Sequence, residues 1–166
     1  MSNTPHKILF VDDEAMALKY FERLVSPLAP VLTAASVAAG KAMLEAHGDE
    51  IAVLVSDQRM PGAHGNELLR HARDHHPAMV RMLTTAYSEL GEAIEAINSG
   101  EIYRYITKPW DLESLRADLK NALELASLRS ERDELMREKM MVQQAQLLAA
   151  RVTHLAIASA GFVRAD

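Results

Sequence analysis

The chain has no cysteine, which excludes disulfides, thiolate metal sites and cysteine nucleophiles and permits a reducing compartment. No apolar run approaches the roughly 20 residues needed to cross a bilayer, and Met1 to Lys7 lacks a signal-peptide apolar core. Basic residues are in the minority. With 18 Lys and Arg against 23 Asp and Glu, the net charge of −5 does not suit a surface for nucleic-acid phosphates. Glycine and proline are missing from Trp110 through Ala160, so nothing in that stretch breaks a helix. From these absences a soluble, cytoplasmic chain is expected, with no direct binding of membrane or nucleic acid by this segment.

Four short apolar runs end in chemically pointed residues. Lys7 to Val11 runs into Asp12-Asp13-Glu14, and Ile51 to Val55 into Ser56-Asp57 ahead of a Met60-Pro61-Gly62 turn. Met79 to Leu83 runs into Thr84-Thr85-Ala86, and Ile102 to Ile106 into Thr107-Lys108-Pro109. Val31 to Ala34 supplies another strand. Helical spacing of apolar residues marks Ala15–Leu24, Ala35–Ala46, Gly65–His75, Ser88–Asn98 (closed by Ser99-Gly100) and a fifth segment from Leu112. Alternation of five strands with five helices predicts an α/β doubly wound parallel sheet with helices on both faces. The βα connections of such a sheet share one edge, so acid pair, single acid, hydroxyl and lysine converge. Clustered carboxylates repel and need a cation, and oxygen-only ligands suit Mg²⁺. A hydroxyl and an ammonium beside that ion suit a phosphoryl group. Singly, each residue has an ordinary reading: Asp13 a helix cap, Asp12 an exposed loop acid, Asp57 a turn former, Thr85 a strand-end polar group, Lys108 a solvated lysine. Jointly those readings demand a run of coincidences in order, and the constellation is preferred.

The ordered set Asp12-Asp13, Asp57 with Met60-Pro61 and Gly65, Thr85-Ala86, then Tyr105 and Lys108-Pro109 resembles the receiver domain of two-component response regulators, over roughly residues 5 to 124. The resemblance implies a flavodoxin-like strand order 2-1-3-4-5 and a receiver domain over 1–124; residues 125–166 read as a long helical, coiled-coil-like extension that could lead to an output domain. It implies that Asp57 accepts a phosphoryl group from a sensor histidine kinase or phosphotransfer protein. Mg²⁺ is then expected on Asp13 directly, on Asp12 largely through water, on Asp57, and on the backbone carbonyl of Arg59. Lys108 would pair with a phosphoryl oxygen, Ala86 would offer its backbone N–H, and Pro109 would follow a cis peptide bond. Thr85 would donate its hydroxyl; Thr84 competes, but the small residue follows Thr85. Thr85 and Tyr105 are expected to form a switch acting on the fourth helix, fifth strand and fifth helix, including Ile94, Ile97, Tyr103 and Trp110. Arg59 and Tyr87 fall where they would flank the phosphoryl group, and a large Tyr87 implies slow self-dephosphorylation. Ala96 to Asp111 resembles a subgroup attached to larger signalling or transcriptional proteins. No separate substrate turnover is expected. An aspartyl phosphatase would want Asp-x-Asp after the first strand, which Asp12-Asp13-Glu14 does not supply; the alternative is a non-switching interaction scaffold.

Beyond about Ala122 helix formers dominate. One column recurs every seven residues: Leu128, Leu135, Val142, Ala149 and Ala156. Its companion seam is charged at Arg132 and Lys139, or Glu131 and Glu138, then improves at Ala145, Leu148, Val152 and Leu155. The segment reads as one long helix that could form a homodimer, with Glu131–Lys139 as a solvated linker. The C-terminus has no helix-turn-helix composition or ATP-binding glycine motif, and Ala156 to Val163 is a weakly apolar candidate for partner packing. His154 lacks the acid and proline expected around a kinase histidine. His71, His75 and His76 read as decoration of a helix end rather than a zinc site.

Overall fold

Each short apolar run pairs with another along its length, and all of these pairings are parallel. The structure, a computed structural model, describes residues 4–164, with side chains as far as residue 158. Strands β1 (Lys7–Val11), β2 (Val31–Ala34), β3 (Ile51–Asp57), β4 (Val80–Ala86) and β5 (Arg104–Lys108) form a sheet of order β2-β1-β3-β4-β5. Between and after them lie helices α1 (Ala15–Val25), α2 (Val37–His47), α3 (Gly65–His75), α4 (Leu90–Asn98) and α5 (Leu112–Arg164). This is the flavodoxin-like order expected above.

The central strands are apolar on both faces because both faces are covered. Leu9, Val11, Leu54 and Leu83 pack with Leu44, Leu68, Leu69, Ala93 and Ala96 of α2, α3 and α4. Their neighbours in the alternation, Ile8, Phe10, Val53, Val55 and Met82, pack with Phe21 and Val25 of α1 and with Leu115, Leu119 and Ala122 of α5. The period of two along each strand thus divides the core into two layers.

Several boundaries differ from the sequence expectation for identifiable reasons. β3 and β4 continue beyond Val55 and Leu83, because Ser56 pairs with Leu83 and Asp57 with Thr84 in the ladder. Ser56, Thr84 and Thr85 are all fully buried there, so the strands outlast their apolar residues. α2 begins at Val37, where the Ser36 hydroxyl accepts from the Ala39 N–H at 3.0 Å as an N-cap. A 3₁₀ turn, Tyr87–Glu89, precedes α4, which ends before Gly100 in the left-handed region (φ 77°). β5 starts at Arg104 rather than Ile102; Ile102 is instead a buried core residue ahead of the strand. A short antiparallel ribbon, Arg59–Met60 with Ala63–His64, closes on Pro61-Gly62 and was not anticipated.

The chain divides into a compact unit ending at Ser130 and a second unit beginning at Glu131. In the first, α5 contributes buried side chains as far as Ala126. In the second, the apolar residues Leu135, Val142, Leu148, Val152 and Leu155 are exposed. The apolar stretch Ala156 to Val163 lies, from residue 159 onward, outside the described side chains. No helix among the described residues is long and apolar enough to cross a membrane.

Candidate functional site

Asp12 extends β1 by one ladder step, its N–H donating to the Ala34 carbonyl at 3.1 Å. Its side chain is wholly buried rather than an exposed loop acid. Asp12 Oδ1 accepts from the Glu14 N–H at 2.9 Å, leaving Oδ2 to the Lys108 ammonium at 2.7 Å. Asp13 is exposed and does not cap α1, whose N-cap is Glu14 with no side-chain cap bond. Asp57 closes β3. One carboxylate oxygen from each of Asp12, Asp13 and Asp57 lies within 4.8 Å of the others, the one such group of three or more metal-ligating side chains among the described residues. Lys108 ends β5, its Nζ 3.4 Å from Asp57 Oδ1, and the Lys108–Pro109 peptide bond is cis as expected.

Two of the three carboxylates, Asp12 and Asp57, therefore share the Lys108 ammonium within 4 Å, and the third, Asp13, adds its charge to the same cluster. Burial pushes the Asp57 carboxyl up to about 6; the Lys108 charge opposes this and the Asp12 charge adds to it. Burial pulls the Lys108 ammonium down, but its hydrogen bond to Asp12 and the charges of Asp57 and Asp12 hold it above the ordinary lysine range. An excess of hard anionic oxygens in a half-buried setting is the donor set of a divalent cation such as Mg²⁺. The residues present fit that ion.

The β4 hydroxyls do not both face Asp57. Thr84 Oγ1 lies 3.5 Å from Asp57 Oδ1, whereas the Thr85 hydroxyl donates to Gln58 Oε1 at 2.8 Å. Of the two, the structure sets Thr84 nearer the carboxylate and does not bring the Thr85 hydroxyl to it. Ala86 is exposed and stands beside Lys108 in the ladder. Tyr105 pairs with Leu83 and is partly buried against the α2–α3–α4 layer. Trp110 packs in the other layer, stacked on Tyr20 and edge-on to Phe10 and Phe21. The Arg59 side chain turns to Glu89 at 2.8 Å and Glu92 at 3.7 Å. Tyr87 is 73% exposed. His71 and His75 stack with ring centroids 4.2 Å apart.

Sequence reasoning missed Gln58, which is 1% exposed, and its contact from Nε2 to Glu92 in the first turn of α4. Extending the β3 alternation past Val55 sets residue 58 on the same side of the sheet as Leu54 and Ser56, the side covered by α2, α3 and α4. Gly65 belongs to the ordered motif, and its physical role is close approach. A Cβ at that position would stand 2.1 Å from the Asp57 carbonyl oxygen and 2.8 Å from Ser56 Oγ. The Gly65 N–H also donates to the Gln58 carbonyl at 2.9 Å, fixing the start of α3 against the end of the Asp57 strand.

A family model for the response regulator receiver domain matches residues 8–120. Among curated proteins, the hydrogenase transcriptional regulatory protein HoxA of Bradyrhizobium diazoefficiens is 35% identical over 124 residues, covering 75% of this chain and 25% of that protein. The DNA-binding transcriptional regulator NtrC of Escherichia coli K12 is 32% identical over 114 residues, covering 68% of this chain and 24% of that protein. The chain thus spans about a quarter of the length of these relatives. Among solved structures, a response regulator receiver domain protein from Clostridium thermocellum aligns with a TM-score of 0.70 at 30% identity, over 74% of this chain and 98% of that one. With the acidic residues, lysine and sheet order all falling inside the matched span, the chain belongs to the response regulator receiver family.

Proposed function

We propose that this chain accepts a phosphoryl group on Asp57 from a phosphohistidine of a sensor kinase or phosphotransfer protein. The observation carrying the reading is the clustering of Asp12, Asp13 and Asp57, with the Lys108 ammonium paired to Asp12 and Asp57. An Asp57 carboxylate oxygen attacks phosphorus, the P–N bond breaks with its electron pair returning to the imidazole, and an acyl phosphate forms. With its carboxyl at about 6, Asp57 is mostly ionised at neutral pH and so competent as the nucleophile. Asp12, Asp13, Asp57 and the backbone carbonyl of Arg59 would hold Mg²⁺, Asp12 largely through water; when bound, the ion supplies positive charge against the approaching anions. Lys108 pairs with one phosphoryl oxygen and the Ala86 N–H with another.

Transmission in this reading runs from Thr85 to Tyr105 and the surface of α4, β5 and α5. The residues named for it divide between the two core layers, Ile97 and Tyr105 in one and Tyr103 and Trp110 in the other, so the edge strand β5 is where both meet. Two copies of the chain pair through the second half of α5, and an output element, on this chain or a partner, reads the change.

Incubating the full chain with acetyl phosphate and Mg²⁺, followed by intact mass, tests the proposal. A stable gain of one phosphoryl group, lost with EDTA and in Asp57→Asn, is expected. Donor turnover without a stable gain would indicate a phosphatase, and no reaction at all would leave a non-switching scaffold.

A further inference from the structure

The two adjacent hydroxyls at the end of β4 differ in what holds them. Thr84 is only loosely placed against Asp57, at 3.5 Å. Thr85 is 2.8 Å from Gln58 Oε1, with both residues at 1% exposure or less. The other end of the same amide donates to the Glu92 carboxylate on α4. Arg59, the next residue, adds ion pairs to Glu89 and Glu92. Donor and acceptor chemistry fixes the amide's orientation. A carboxylate only accepts, so Nε2 must face Glu92; Oε1 is then left for Thr85, whose hydroxyl must be the donor. The Thr85 proton is thereby committed to Gln58, the Ala86 carbonyl at 3.3 Å being the more distant acceptor.

We infer that Gln58 is a positioning residue for the phosphoryl site. Its amide oxygen holds the Thr85 hydroxyl, so a phosphoryl group on Asp57 gains that donor only by displacing Gln58, and the displacement disturbs the first turn of α4 through Glu92. The inference rests on Asp57 being the phosphoryl acceptor. A hydrogen bond to a charged phosphoryl oxygen is roughly twice as strong as one to a neutral amide, so the exchange runs forward. It also leaves the buried Gln58 oxygen without its donor unless the amide turns, which favours two discrete arrangements over a graded one. Because Gln58 joins Thr85 to Glu92 directly, helix α4 has a connection to the site through this side chain in addition to the backbone of the β4–α4 turn.

The test uses the full chain with Mg²⁺ and beryllofluoride, a phosphoryl mimic, and compares affinities by amide NMR for wild type, Gln58→Leu, Thr85→Val and the double variant. Removing the competing acceptor in Gln58→Leu is expected to tighten binding by about five- to tenfold, the worth of one neutral hydrogen bond. The gain should vanish in the Thr85→Val background, a coupling that general loosening of the fold would not produce. Amide exchange across Glu89 to Ala93 should also quicken in Gln58→Leu. Gln58→Met, of similar length and without the amide oxygen, repeats the measurement should the leucine variant fail to fold. Unchanged or weaker binding in the Gln58 variants overturns the inference, as does a gain that persists with Thr85→Val. If wild type itself binds no beryllofluoride and gains no phosphoryl mass, the reading of Asp57 is what has failed.

Discussion

Asp57 carries a charge that its surroundings resist. Its carboxyl, ordinarily near 3.8, is raised to about 6 in the folded chain, chiefly by burial. An acid raised on folding binds its proton more tightly in the native state, so ionisation weakens that state. Without a cation, this contribution is absent below about pH 4, grows as pH rises through 4 to 6, and is complete above 6. Asp57→Asn should therefore be more stable than wild type at pH 7.5 in EDTA by about 1–3 kcal/mol, with the difference closing as pH falls towards 4. Mg²⁺ should then raise the wild-type melting temperature more than that of the variant. Urea unfolding over that pH range checks the sign; a wild type more stable than Asp57→Asn at pH 7.5 without metal would contradict it. Gly65 gives a steric counterpart. A methyl group 2.1 Å from the Asp57 carbonyl oxygen cannot be accommodated without moving backbone. Gly65→Ala should cost about 2 kcal/mol or more in urea unfolding.

These two residues also mark how far single positions were legible beforehand. Asp12, Asp57 and Lys108 stood out because each terminates an apolar run, and a parallel sheet delivers such residues to one edge. Which way Thr84 and Thr85 turn could not be read, because the Thr85 partner, Gln58, lies 27 residues away, just past the end of the adjacent strand. Gln58 itself carries no chemical signal in the sequence. Its burial follows only once β3 is known to run on through Asp57.

At the scale of elements, the strands were recognisable by hydrophobicity and mis-ended for the same reason. β3 and β4 finish in buried Ser56, Thr84 and Thr85, which the ladder accommodates but an apolar pattern does not register. The start of α2 is set by the Ser36 cap, a local hydrogen bond rather than a periodicity. α5 shows the opposite situation, one unbroken helix whose two parts have different surroundings. Leu115 is 0% exposed in the receiver core, whereas Leu148 is 61% exposed. In the full chain at low concentration, Leu115→Ala should cost about 2–5 kcal/mol. Leu148→Ala should stay within about 0.5 kcal/mol. Equal effects of the two in denaturant unfolding would show that the division of α5 at Ser130 is misplaced.

At the scale of the whole molecule, the exposed side chains of α5 beyond Glu131 have a pattern with consequences for assembly. Met141, Leu148 and Leu155 recur every seven residues and alternate with Ala145 and Val152 at the spacing of a coiled-coil seam, all of them exposed within one chain. A β-branched residue at one seam position with leucine at the other favours two parallel strands. Towards the receiver the same seam positions hold Glu131, Glu134 and Glu138, which would face their own copies in a parallel pair and repel. Self-association should accordingly strengthen with salt, because screening weakens that repulsion while leaving the apolar contacts intact. Sedimentation velocity at low and high ionic strength is expected to show a concentration-dependent dimer of the full chain, tighter at high salt. The double variant Leu148→Glu, Leu155→Glu and a chain ending at Ser130 should both remain monomeric. A dimer that survives removal of residues 131–166 would move the interface to the receiver itself. A full chain monomeric at every salt concentration would make α5 a linker whose apolar stripe serves a different partner.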